Sequence, residues 1–109
     1  MNMKIRRIVE FRVVFNKDEF KVFKYIVKDK IDSYGYKAVN GEYMFNLDED
    51  MYYNMKRAFK DFISEIEFKE WMDERISAED WSVYSKTKVL IDNIFLEERY
   101  GGYDYDDYE

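Results

Sequence analysis

The chain has 109 residues with no cysteine, histidine or proline, and its formal net charge is −6. This length suits one domain, and a domain of this size buries roughly two-thirds of its unfolded surface. The missing residue types exclude disulfides, thiolate nucleophiles, histidine bases and histidine-containing zinc sites. Aromatic residues make up 20% of the sequence, which favours a packed core over a disordered acidic chain.

Charge is divided unevenly along the sequence. Residues 1–37 contain ten Lys/Arg and five Asp/Glu, whereas residues 38–109 contain eight and nineteen. The last ten residues are only tyrosine, glycine, aspartate and glutamate. We therefore predict one α+β domain over residues 1–100 and a flexible acidic Tyr/Asp tail over 101–109, and we expect the uneven charge to act on partners rather than on the fold.

The first elements are predicted from apolar spacing. Apolar residues alternate with polar ones from Lys4 to Asn16, which indicates a half-buried strand with a basic outer face. Asn16 and Glu19 form a capping-box pattern that starts a helix. The apolar side of this helix is predicted to carry Phe20, Phe23, Val27 and Ile31, and a second stripe carries Lys17, Lys21, Lys24 and Lys28.

A hairpin is predicted next, because Asn40-Gly41 between two β-like runs suits a two-residue type I′ turn. Asp48 can cap the following helix, whose buried stripe is predicted to be Tyr52, Met55, Phe59, Phe62 and Ile66. Capping patterns at Ser64 and Ser77 predict two breaks. The last helix is predicted from about Ala78 to Arg99, with Trp81, Tyr84, Lys88, Ile91 and Phe95 along one side.

These elements predict an α+β fold with a small three-stranded sheet, built from a strand, a helix and a β-hairpin. Two or three further helices pack on one face of the sheet. The predicted shared core is Phe20, Phe23, Tyr36, Phe45, Phe59, Phe62 and Ile91. We expect a cytoplasmic protein without a membrane segment, because no apolar run approaches the ~20 residues of a membrane-spanning helix and Glu10 and Arg12 interrupt any export signal.

No catalytic constellation is found, so we expect no enzyme activity, no catalytic residue, no metal site and no cofactor. The acidic runs at Asp48–Asp50, Asp73-Glu74 and Asp104–Asp106 are explained by helix capping and by the abundance of acids. Between Glu65 and Asp80 there are seven acids in sixteen residues. On a helix this gives one negative charge per about 3.4 Å, close to the charge spacing of one DNA strand.

The acidic stretch and the tail predict a binding surface for a basic protein, expected to be a nucleic-acid-binding enzyme. The predicted partner-binding residues are Glu67, Glu70, Asp73, Glu74, Tyr103, Asp104, Tyr105, Asp106 and Asp107. We expect a small acidic inhibitor that occupies a basic site on a nucleic-acid-binding protein or nuclease and possesses the features of a nucleic-acid mimic. In size and composition, though not in any motif, the chain resembles phage or mobile-element inhibitors of the anti-CRISPR or anti-restriction class.

Two alternative functions stay open from the sequence. The chain could be a structural or regulatory homo-oligomeric module, with a homodimer formed through an aromatic sheet face. It could also bind nucleic acid through its basic N-terminal third, with Arg6, Arg12 and the lysine stripe contacting phosphates. The net charge of −6 disfavours this second alternative, because it repels a polyanion.

Overall fold

The computed structural model describes residues 10–95. In chain order the elements are β1 (Phe11–Phe15), α1 (Lys17–Val27), a 3₁₀ helix (Lys28–Tyr34), β2 (Tyr36–Val39), β3 (Glu42–Leu47), α2 (Glu49–Trp71) and α3 (Ala78–Ile94). This is the α+β fold that the sequence predicts. The proposed strand start at Lys4, the helix end at Arg99 and the acidic tail lie outside the described residues.

The three strands form one antiparallel sheet in the order β1-β3-β2. Val13 pairs with Phe45, and Phe45 pairs in turn with Tyr36, so three inward-facing residues line up across the sheet. The predicted turn between β2 and β3 is confirmed, since Asn40 and Gly41 have φ angles of 52° and 80°. These positive values are what a type I′ turn requires.

The predicted helix starts are confirmed in three places. The Asn16 side chain accepts from the backbone N–H of Glu19 at 2.8 Å, and the Glu19 carboxylate accepts from the N–H of Asn16 at 2.8 Å. The side chains of Asp48 and Ser77 cap α2 and α3 by accepting from the backbone N–H of Met51 and Asp80. The predicted break at Ser64 is wrong, because α2 continues without interruption to Trp71 and packs through the buried Ile66.

The core lies between the sheet and the helices. The buried cluster contains Val13, Phe15, Phe20, Val22, Phe23, Val27, Phe45, Leu47, Tyr52, Met55, Phe59, Val83, Leu90 and Phe95. The predicted shared core is confirmed, with Tyr36, Phe62 and Ile91 half-buried against this cluster. The ring of Phe20 stacks on Tyr43 of β3, with centroids 3.8 Å apart. The aromatic sheet face is therefore largely covered by the chain's own helices.

Two details of the helices differ from the prediction. α1 ends at Val27, and Lys28, with φ of 54°, turns the chain into the 3₁₀ helix that contains Ile31. The buried side of α3 is formed by Val83, Thr87 and Leu90. On the side predicted from the sequence, Phe95 is buried and Tyr84 and Ile91 are half-buried, whereas Trp81 and Lys88 are exposed. α3 contacts both α1 and α2. No helix within residues 10–95 has the length and apolar character needed to cross a bilayer.

Candidate protein-binding surface at the end of the helical hairpin

The end of α2 extends beyond the core. Ile66 is the last buried residue of α2, and from Glu67 to Glu79 every side chain is exposed or half-buried. The connection over residues 72–77 is short, so α2 and α3 form a helical hairpin whose closed end projects from the domain. We call residues 67–81 the helical tip.

The helical tip exposes four large apolar side chains. Phe68, Trp71 and Met72 are 55%, 77% and 48% exposed, and Trp81 at the start of α3 is 36% exposed. The first three share one side of α2, because residues three and four apart are neighbours on a helix. The rings of Phe68 and Trp71 are in contact, with centroids 5.9 Å apart. Clustered exposed apolar residues of this size are typical of interaction sites.

Carboxylates surround these apolar side chains. The helical tip contains six acids and two cations, Lys69 and Arg75. The four helical residues predicted to bind a partner all lie here and are all exposed: Glu67, Glu70, Asp73 and Glu74. The structure thus brings the four together on one projecting end. The other predicted residues, Tyr103, Asp104, Tyr105, Asp106 and Asp107, lie outside the described residues.

The apolar part of the surface was missed from the sequence. Phe68, Trp71 and Met72 have the spacing of one helix face, so this signal was present. These residues lie two, five and six positions after Ile66, so they point away from the buried stripe of α2, which ends at Ile66. An exposed apolar group on the far side of α2 could therefore have been predicted from the sequence.

Backbone hydrogen bonds fix where α2 ends. The N–H of Asp73 donates to the carbonyl of Glu70 at 3.0 Å, and the N–H of Glu74 donates to the carbonyl of Lys69 at 2.8 Å. Asp73 has φ of 59°, so the pattern is a Schellman motif with aspartate at the position that glycine usually occupies. The backbone of Asp73 and Glu74 is therefore fixed at the end of α2, and both side chains are exposed there.

Two tyrosines attach the helical tip to the rest of the domain. The hydroxyl of Tyr84 donates to Glu67 at 2.7 Å, and that of Tyr25 donates to Asp80 at 2.5 Å. The hydrogen bond to Glu67 raises the pKa of Tyr84, and burial adds to the effect. The hydrogen bond to Asp80, with burial and nearby charge, raises the pKa of Tyr25 to about 12. Glu67 is thus exposed to solvent and also accepts a hydrogen bond from Tyr84.

Other surfaces offer less specific chemistry. An open groove of about 880 Å³ lies between the 3₁₀ helix and α2, where its lining includes Arg57 and Asp61. Four basic and four acidic side chains line it, so it has no net charge. Among residues 10–95, no three carboxylates converge closely enough to hold a metal ion.

The chain was compared with protein-family models, curated proteins and solved structures, and it matches none of them significantly.

Proposed function

We propose that this chain is a small non-enzymatic binding protein whose helical tip docks into a basic site on another protein. The observation that carries the proposal is the exposed group of Phe68, Trp71, Met72 and Trp81, surrounded by six carboxylates. Tryptophan contributes more than its share of interface energy, and complementary charge guides the encounter of two proteins. The matching surface on a partner combines an apolar pocket with a rim of lysine and arginine.

The partner in this proposal is a nucleic-acid-binding enzyme such as a nuclease, and occupation of its basic site inhibits it. Support comes from the concentration of acids at the helical tip, six within residues 67–81. They do not follow one continuous helix, because α2 ends at Trp71 and the chain reverses before α3 begins at Ala78. A projecting end also suits entry into a cleft. This activity is of the kind that phage or mobile-element inhibitors direct against restriction or CRISPR enzymes. An inhibitor of such an enzyme acts in the cytoplasm. The absence of cysteine is compatible with this location.

The two components of the surface have different kinetic roles. Charges act over about one Debye length, ~8 Å at physiological salt, and mainly speed association. Buried aromatic contacts mainly slow dissociation. Replacing the exposed Trp71 by Ala is expected to cost at least about 2 kcal/mol of binding, chiefly through faster dissociation.

Capture from the source cell, with two matched charge variants, tests the proposal. The tip variant combines Glu70→Lys and Glu74→Lys, which leaves the Glu67 hydrogen bond and the Asp73 backbone intact. The control variant combines Glu42→Lys on β3 and Asp92→Lys near the end of α3, two exposed sites outside the helical tip that give the same net charge. We expect the wild type and the control to retain a basic nucleic-acid-binding protein that the tip variant loses.

The purified partner then allows the role of its basic site to be examined. Excess nucleic acid should displace the chain, and rising salt should slow association as the tip variant does. The proposal is overturned if the tip variant captures the same proteins as the control. If excess nucleic acid does not displace the chain, the helical tip remains the docking surface, but the partner is not inhibited through its nucleic-acid site.

A second candidate function is direct binding of nucleic acid by α1. Lys17, Lys21 and Lys24 are exposed on one side of this helix, and Lys28, also exposed, follows directly after its end. Within the described part of the chain, no carboxylate lies at ion-pair distance from any of them. Such a stripe can contact phosphates despite the acidic net charge. A mobility shift with duplex DNA that is lost in Lys21→Glu/Lys24→Glu would support this function.

A further inference from the structure

Both tryptophans of the chain lie at the helical tip. Trp71 ends α2 and Trp81 belongs to the first turns of α3. Tryptophan is on average a highly buried residue type, so two exposed ones on one end of a small domain are unusual. Seven of the fourteen residues in the buried cluster are aromatic, and neither tryptophan is among them. Trp71, which is 77% exposed, is therefore available to a partner, and Trp81, which is 36% exposed, offers the part of its surface that does not pack within the domain.

The ring of Trp81 lies beside a tyrosine that is hydrogen-bonded to a carboxylate. Trp81 packs edge-on against Tyr84, with centroids 5.5 Å apart, and Tyr84 in turn is hydrogen-bonded to Glu67. Trp71 lies one turn beyond Glu67 on α2, and Trp81 lies nearly one turn before Tyr84 on α3. Both tryptophans are thus on the loop side of the bond between Tyr84 and Glu67, together with Glu70.

The aromatic rings of the helical tip and of Tyr84 differ in whether a cationic side chain lies over the ring. The ammonium of Lys88 lies over the ring of Tyr84, 5.3 Å from its centroid. Within residues 10–95, no lysine or arginine lies over the ring of Trp71 or Trp81. Tryptophan is the best of the aromatic side chains for binding a cation by its face. Glu70 and Glu74 likewise have no cationic partner in the described part of the chain.

We propose that the helical tip recognises arginine side chains of its partner in preference to lysine side chains. A guanidinium is planar and weakly hydrated, so it can stack on an indole while it donates two hydrogen bonds to a carboxylate. An ammonium is compact and strongly hydrated, and it gains less from the same surface. This inference rests on the proposed function and specifies the chemistry of the partner's basic site.

Two peptides of equal charge separate arginine recognition from simple charge attraction. Fluorescein-labelled octa-arginine and octa-lysine are titrated with the full chain at about 150 mM salt, and affinity is measured by anisotropy. We expect octa-arginine to bind about five- to tenfold more tightly, in line with cation–π contributions. The intrinsic tryptophan fluorescence should change on binding, and because both tryptophans lie at the helical tip it reports on that surface alone.

Substitutions test whether the indole rings cause the preference for arginine over lysine. Trp71→Ala, at a mostly exposed position, should reduce the preference for arginine to within about twofold and leave octa-lysine affinity nearly unchanged. Val89→Ala on α3, at an apolar position that is 59% exposed, is the matched control and should change neither affinity. The tip variant with Glu70→Lys and Glu74→Lys should weaken both peptides.

Several results would overturn the inference. These are equal affinities for the two peptides, binding of neither peptide, or a preference that persists when Trp71 and Trp81 are both replaced by Ala. The proposed function fails separately, through loss of the difference between the tip and control variants in capture of a basic protein. A basic partner captured through the helical tip, together with equal peptide affinities, would retain the proposed function and reject arginine recognition.

Discussion

Replacing Phe59 with Ala provides a stringent stability test of this structure. The Phe59 side chain is 0% exposed, and its ring lies between Phe23, Phe95 and Phe15 at centroid distances of 5.4, 5.9 and 6.3 Å. Loss of the buried ring removes about 1.5–3 kcal/mol of transfer free energy. The cavity left among rigid aromatic neighbours adds to this, for a total of roughly 3–5 kcal/mol.

Phe68→Ala is the matched control, because it makes the same change on the same helix at a residue that is 55% exposed. It should alter the free energy of unfolding by less than about 0.5 kcal/mol. Urea denaturation followed by far-ultraviolet circular dichroism measures both variants with unchanged m values. A loss below about 1 kcal/mol for Phe59→Ala, or equal losses in the two variants, would refute the assigned limit of the core.

Three further substitutions test local features by the same denaturation assay. Gly41→Ala should destabilise by about 1 kcal/mol, because φ is 80° there although nothing obstructs a methyl group; no loss would contradict the assigned turn. Asp73→Gly should stabilise by about 0.5–1 kcal/mol by relieving a positive φ of 59° at the end of α2, and a loss of stability would reject the Schellman end. Tyr25→Phe should cost stability that is constant below pH 10, the unfolded pKa, and that shrinks as the pH rises towards about 12, the folded pKa. If the stability difference between wild type and Tyr25→Phe does not change between these pH values, the hydrogen bond from Tyr25 to Asp80 does not stabilise the folded chain.

Short-range signals predicted most of the fold. The caps at Asn16, Asp48 and Ser77 and the turn at Asn40-Gly41 depend on hydrogen bonds or dihedral angles within three residues, so the sequence contains them in full. The same pattern at Ser64 failed. A capping box requires the backbone to leave the helix, and packing of Ile66 in the next turn keeps it helical.

Features that depend on distant contacts could not be predicted in the same way. The sequence of α3 contains two possible stripes at helical spacing, one through Trp81 and Tyr84 and one through Val83 and Thr87. Which of these two stripes is buried depends on the side of α3 against which α1 and α2 pack. The end of α1 at Lys28 also lacks a glycine or proline signal, and its positive φ is found only in the folded chain.

The residues of the candidate surface were also predicted only in part from the sequence. Acidic residues could be assigned to it from the sequence, because charge is rarely buried and seven acids in sixteen residues must remain largely in solvent. The apolar residues could have been assigned in a similar way, because Phe68 and Trp71 lie two and five positions after Ile66 and so fall on the side of α2 opposite its buried stripe. The sequence did not show that burial on α2 ends at Ile66, which depends on the position of the other elements.

The combination of these two kinds of residue restricts the shape of a partner. Carboxylates alone would act at a distance on any basic surface, and their attraction would fall steeply with salt. Exposed Trp71 contributes only when water is removed from its ring, which requires a partner surface that encloses it. Because the helical tip projects from the domain, only a concave site can contact Trp71 and Trp81 while its cations also reach Glu70 and Glu74. A flat basic surface would meet the charges but leave most of the indole area in water, so it would bind quickly and release quickly.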